Sequence, residues 1–200
     1  MSQAAPLDIP RWEWRIFAPS FDDVKRLHSR SPKARTVQAE ISILCLKSMH
    51  DVLIQGGTIR LRWRKQVGPG GLELWDSILH SPFPCPAGMV LRLFEALGMP
   101  APQLPRTHYS ERQFLTEILP PNPDLHAVPI RKQSEVFFLE GATCEWAELS
   151  TDRCKVESLC IEHEDPRLAL QVVRHLGLQS SPNTSHPQGL KTSLYSPLQP

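Results

Sequence analysis

No apolar run in the 200-residue sequence approaches the roughly 18 residues needed to cross a bilayer, and no basic-then-apolar leader opens the chain. The five cysteines include no CxxC pair and are odd in number, which argues against a disulfide frame and against a zinc site. Reduced, packed thiols and a cytoplasmic setting are the expectation. A net charge of +1 lacks the basic excess that a generic nucleic-acid or membrane partner demands. There is no G-x-S-x-G and no phosphate-cradling glycine loop, so a serine hydrolase and a P-loop nucleotidase are set aside. The eight histidines show no metal-site spacing.

What is present is charge arranged along strands. In an extended chain, Arg11, Glu13 and Arg15 share one face of Arg11-Trp-Glu-Trp-Arg15, and Trp12 and Trp14 share the other. The tryptophans must be covered, while the charged row must meet water or a polar cavity. Asp51–Gln55, Gly56-Gly57 and Thr58–Lys65 read as a hairpin, because paired glycines suit tight primed turns. Its second arm puts Arg60, Arg62 and Arg64 on one face and Ile59, Leu61 and Trp63 on the other. Three aligned arginines repel one another unless an anion sits opposite. In isolation the row reads equally well as a solvated outer face.

Further strands are expected at 36–46, 72–79, 106–118, 126–132, 134–140, 143–150 and 154–163, with a turn at Glu140-Gly141. Helices are expected after Ser20, across 87–97, and from Asp165-Pro166 to Leu176 before Gly177. Residues 1–9 read as a lead-in, 10–178 as one domain, and 179–200 as a polar, Pro/Ser-rich tail that is irregular in part. Without βαβ alternation or a repeat, this order predicts an antiparallel α+β fold whose charged strands close into a barrel or tunnel.

Taken in order, these stretches resemble the CYTH superfamily, the triphosphate tunnel metalloenzymes, over about residues 10 to 191. The resemblance lies in the opening strand, IRLRWRK at 59–65, and Arg131-Lys132 before CEWAELS with Glu148. It continues in Glu162-His-Glu164-Asp-Pro leading into a helix, and in Gly189-Leu-Lys191. It implies a closed, eight-stranded antiparallel barrel with flanking helices. Arg15, Arg60, Arg62, Arg64, Lys132 and Lys191 would hold phosphates, and Glu13, Glu148, Glu162 and Glu164 would hold Mg²⁺ or Mn²⁺. The chain departs from the family's Glu-x-Glu-x-Lys opening, with Arg11 at the first Glu and Arg15 at the Lys. Leu53, Gln55 and Ser134 stand where the family has basic residues.

Two functional readings therefore stay open. One is a metal-dependent hydrolase of triphosphate-containing compounds or polyphosphate; the other is a degenerate tunnel that binds a phosphorylated anionic ligand without turnover. Nucleic-acid binding is disfavoured, since Trp63 falls opposite the arginines whereas base stacking needs aromatics beside the cations. A homodimer is compatible with the resemblance but not readable in the residues.

Overall fold

The structure, a computed structural model, describes residues 9–22, 25 and 34–195. Its strands in chain order are β1 (Arg11–Ala18), β2 (Ala34–Cys45), β3 (Asp51–Gln55), β4 (Thr58–Val67), β5 (Glu73–Pro82), β6 (Cys85–Pro86), β7 (His108–Tyr109), β8 (Leu125–Leu139), β9 (Ala142–Ser150) and β10 (Lys155–His163). The helices are α1 (Ala87–Ala96), the single turn α2 (Glu111–Gln113), α3 (Pro166–His175) and α4 (His186–Tyr195). Antiparallel pairing runs β1-β10-β9-β8-β2-β3-β4-β5 and closes from β5 back to β1. The closed eight-stranded barrel with flanking helices is the expected fold.

The turns form where the residues demand them. Gly56 (φ 56°) and Gly57 (φ 72°) join β3 to β4, and Glu140 (φ 49°) with Gly141 (φ 86°) joins β8 to β9. Asp165 caps α3 by accepting from the Arg167 N–H at 2.8 Å, with Pro166 at the first helical position.

Three expectations change. Residues 126–132 and 134–140 form one 15-residue strand, β8, because nothing between them turns the chain; Gln133 pairs with Val37 on one side and Glu148 on the other. Residues 106–118 are not a strand beyond the short β7. Ser110 Oγ accepts from the Gln113 N–H (3.2 Å) while Gln113 Oε1 accepts from the Ser110 N–H (2.9 Å), and this capping box starts α2, which runs on as a π-turn over Phe114–Ile118. The second half of the tail is the helix α4. The helix expected after Ser20 lies largely outside the described residues.

Apolar side chains cover the barrel in two outer clusters. Ile43, Val52, Ile54, Ile59 and Leu61 pack under Val90, Leu93 and Phe94 of α1 and Phe114. Trp14, Cys144, Trp146, Leu159 and Ile161 pack under Ala169, Val172 and Val173 of α3. Fully burying each such side chain contributes about 1.5–3 kcal/mol. All five cysteines are free thiols, as their spacing predicts.

The interior divides into two halves. Leu44, Val128, Ile130, Ala147 and Leu149 form an apolar cluster with the fully buried Leu190 of α4, and Phe17 packs against it. The tail thus stoppers one end of the barrel. Gly189 permits it: a Cβ there would lie 2.0 Å from the Phe17 ring. The other half of the interior is polar. None of the described helices is long and apolar enough to cross a membrane.

Candidate functional site

The polar half is a cavity of about 320 Å³ lined by five cations, Arg11, Arg15, Arg60, Arg62 and Lys132, and three carboxylates, Glu13, Glu145 and Glu162. Trp75 and Ser77 of β5 complete much of the wall. Strand parity places these groups, since partners directly opposite in a ladder share a face. Glu13 of β1 stands opposite Glu162 of β10, and Arg15 opposite Cys160.

Glu13 and Arg15 are buried, at 2% and 6% exposure, and pair at 2.9 Å. Arg15 also donates to Ser158 Oγ at 3.3 Å. Arg62 reaches across to Glu13 (3.2 Å) and binds the buried Asp51 at 2.7 Å, while its guanidinium lies 5.5 Å from the Trp75 ring centre. Lys132 Nζ sits between both oxygens of Glu145, at 2.8 and 2.9 Å. Among the described residues, no ion pair engages Arg11, Arg60 or Glu162.

Burial alone would raise the Glu13 carboxyl, but the Arg15 and Arg62 guanidiniums overcome it and hold the group at about 2. Asp51 is likewise held well below the usual carboxylate range, against burial, by Arg62 and His186. Glu145 is lowered against burial by Lys132 and Arg15. Glu162 moves the other way: burial and the nearby Glu13 charge push it up. Burial also pushes the Cys160 thiol well up, and its S–H donates to Glu162 at 3.6 Å.

Of the residues the sequence nominates, Glu13, Arg15, Arg60, Arg62, Lys132 and Glu162 converge on this cavity. Four do not. Glu148 pairs with Lys155 at 2.9 Å, away from the cavity. It is Glu145, an odd number of residues away along β9, that faces inward. The signal was present, since Cys144 and Trp146 flank Glu145 as Trp12 and Trp14 flank Glu13. Glu164 lies exposed beyond the end of β10. Arg64 lies past Arg62, which is the last β4 residue opposite β3, and its guanidinium is held by Glu73. Trp63, on the opposite face of β4 from the arginines, is 40% exposed. Lys191 donates to the Ser48 carbonyl at 2.7 Å at the stoppered end. Asp51 and Trp75 were not nominated; both hold Arg62.

Glu13, Cys160 and Glu162 bring ligand atoms within 4.8 Å of one another and could hold a metal ion. The two carboxylates suit a hard cation, which takes its other ligands from water and phosphate oxygens. The Cys160 thiol does not suit it, and Glu13 already accepts from two guanidiniums. The donor set therefore fits such an ion through Glu13 and Glu162 alone.

No family model matches the chain, and no curated protein matches it. Solved structures do. A structure from Bacillus halodurans described as a candidate adenylate cyclase aligns with a TM-score of 0.50 at 13% identity, over 88% of this chain and 94% of that one. The PH1012 protein of Pyrococcus horikoshii gives a TM-score of 0.45 at 14% identity, over 89% of this chain and 94% of that one. A Hippeastrum protein described as a candidate adenylyl cyclase with a dominant triphosphatase activity gives 0.46 at 13% identity, over 84% and 88%. At such identities the likeness concerns architecture alone. Closed, eight-stranded and antiparallel, with charged residues from several strands converging inside, the chain shares its overall fold with the Bacillus halodurans structure.

Proposed function

We propose that this barrel binds a phosphorylated anion, a triphosphate-containing compound or a short polyphosphate, in the polar half of its interior. The observation that supports it is the lining, in which five cations from β1, β4 and β8 face only three carboxylates. Arg11 and Arg60, free of ion pairs among the described residues, would meet the anion first. Arg15, Arg62 and Lys132 would exchange part of their internal pairing for phosphate oxygens, which guanidinium groups contact in bidentate fashion. At about 320 Å³ the cavity is at the small end of ligand sites, about 300–1,000 Å³. It suits the phosphate chain, leaving any organic moiety at the mouth. A cytoplasmic setting accords with five free thiols.

Hydrolysis is the second reading, and Glu162 favours it. This carboxylate, without an ion-pair partner among the described residues and directly opposite Glu13, is where Mg²⁺ or Mn²⁺ would be held to offset phosphate charge. Arg15 and Arg62 would orient the phosphates, and the carboxylates would fix a water for in-line attack.

The two readings separate by experiment. Calorimetric titration with tripolyphosphate, ATP and thiamine triphosphate, in EDTA and then in Mg²⁺ or Mn²⁺, is expected to show binding. Phosphate release under the same conditions reports turnover. Binding without release leaves the degenerate tunnel; no binding by folded protein overturns the proposal.

A further inference from the structure

The buried ion network of the cavity does not end at the barrel wall. Asp51 is 3% exposed and presents one oxygen, Oδ2, to Arg62, at 2.7 Å from Nη2 and 3.1 Å from Nε. Its other oxygen, Oδ1, lies 3.2 Å from Nδ1 of His186, a residue 8% exposed at the first position of α4. Asp51 stays ionised, and an ionised carboxylate only accepts hydrogen bonds, so His186 Nδ1 carries the hydrogen. The series His186–Asp51–Arg62–Glu13–Arg15 therefore connects the tail helix to both buried arginines of the cavity. Lys191, the tail residue nominated for phosphate contact, takes no part; it is bound to Ser48.

We infer that His186 is a positioning residue for Arg62. By donating to Asp51 Oδ1 it fixes the carboxylate's orientation and takes up part of its charge. The other oxygen then sits where Arg62 can bind it and still present Nη1 to Glu13 and the cavity. Without that donor, Asp51 is left with a buried, unpaired lone pair and its carboxylate is no longer held in place, so Oδ2 leaves the Arg62 Nε–H and the guanidinium loses its position in the cavity. The tail thus contributes to anion binding from outside the cavity, and this part of the inference rests on the proposed anion-binding function.

Two variants separate hydrogen bonding from simple filling: His186→Asn, which keeps a donor near the Nδ1 position, and His186→Leu, which does not. Thermal unfolding checks that both are folded. The first readout needs no ligand: the Arg62 side-chain Nε–H resonance in ¹⁵N-labelled protein, assigned by its loss in Arg62→Lys. It is expected to be protected from solvent exchange in the wild type and His186→Asn, and to lose protection in His186→Leu. The second readout is calorimetric affinity for tripolyphosphate, expected to fall about five- to ten-fold in His186→Leu and to recover in His186→Asn. If His186→Leu leaves the Arg62 signal protected, or if both variants lose it equally, the positioning role is overturned. Failure of the wild type to bind tripolyphosphate overturns the proposed function instead, and the Arg62 signal still decides the role of His186.

Discussion

Glu13 and Glu162 face each other directly across the β1–β10 ladder, yet their environments drive their acidities apart. Glu13 is held at about 2 by two guanidiniums in spite of burial, whereas burial and the Glu13 charge push Glu162 up. One carboxylate is fixed as an anion within the ion network, and the other is left to take a proton or a cation. That division sets the first two predictions.

Glu13 should support the fold above its unfolded value of 4.5, with the contribution lost as pH falls through about 2. The folded form binds the proton more weakly than the unfolded chain, so stability drops on the acid side. The contribution is on the order of 3 kcal/mol. Glu13→Gln leaves Arg15 and Arg62 without their shared anion and should cost about 3–5 kcal/mol at neutral pH. Urea unfolding of both proteins from neutral to acid pH measures this, and the gap should narrow as pH falls.

Glu162 carries the opposite sign. A carboxyl raised by burial favours the folded state when protonated, and that advantage disappears as pH rises through the folded value. Glu162→Gln should therefore raise the melting temperature at neutral pH and make little difference in acid. If Glu162 holds the metal, the same variant should also abolish stabilisation by Mg²⁺ or Mn²⁺ in the presence of tripolyphosphate.

Lys132 and Lys191 should behave differently, although both were nominated from the sequence. Lys132→Met should weaken tripolyphosphate binding about ten-fold or more, since a charge-assisted contact contributes about 1.5–3 kcal/mol. Lys191→Met and Arg64→Met should leave the affinity within about two-fold, because neither side chain lines the cavity. Lys191→Met should instead cost about 1 kcal/mol of stability through the lost bond to Ser48.

Gly189→Ala tests the stopper. The added methyl would sit 2.0 Å from the Phe17 ring, a contact relieved only by moving the helix or the ring. Overpacking of this kind costs about 1–3 kcal/mol. Limited proteolysis should cleave the tail of the variant faster than that of the wild type.

Alternation alone determined much of this protein. The two-faced strand Arg11–Arg15, the Gly56-Gly57 hairpin, the Asp165-Pro166 helix start and the grouping of Glu13 with Arg15 and of Arg60 with Arg62 on shared strand faces follow from local chemistry, whereas the inward direction of those faces does not. A two-residue period and a turn residue act over only a few positions. Tertiary structure decided the rest. Cys144 and Trp146 mark the apolar face of β9 locally, but ladder register and their covering by α3 settle that Glu145 rather than Glu148 is inside. Arg64 does not line the cavity, and its guanidinium is held by Glu73, a residue of a different strand. The tail's polar composition reads as irregular, yet the barrel supplies an apolar half for Leu190 and a buried carboxylate for His186. Those contacts link residues far apart in the chain, and no local pattern encodes them.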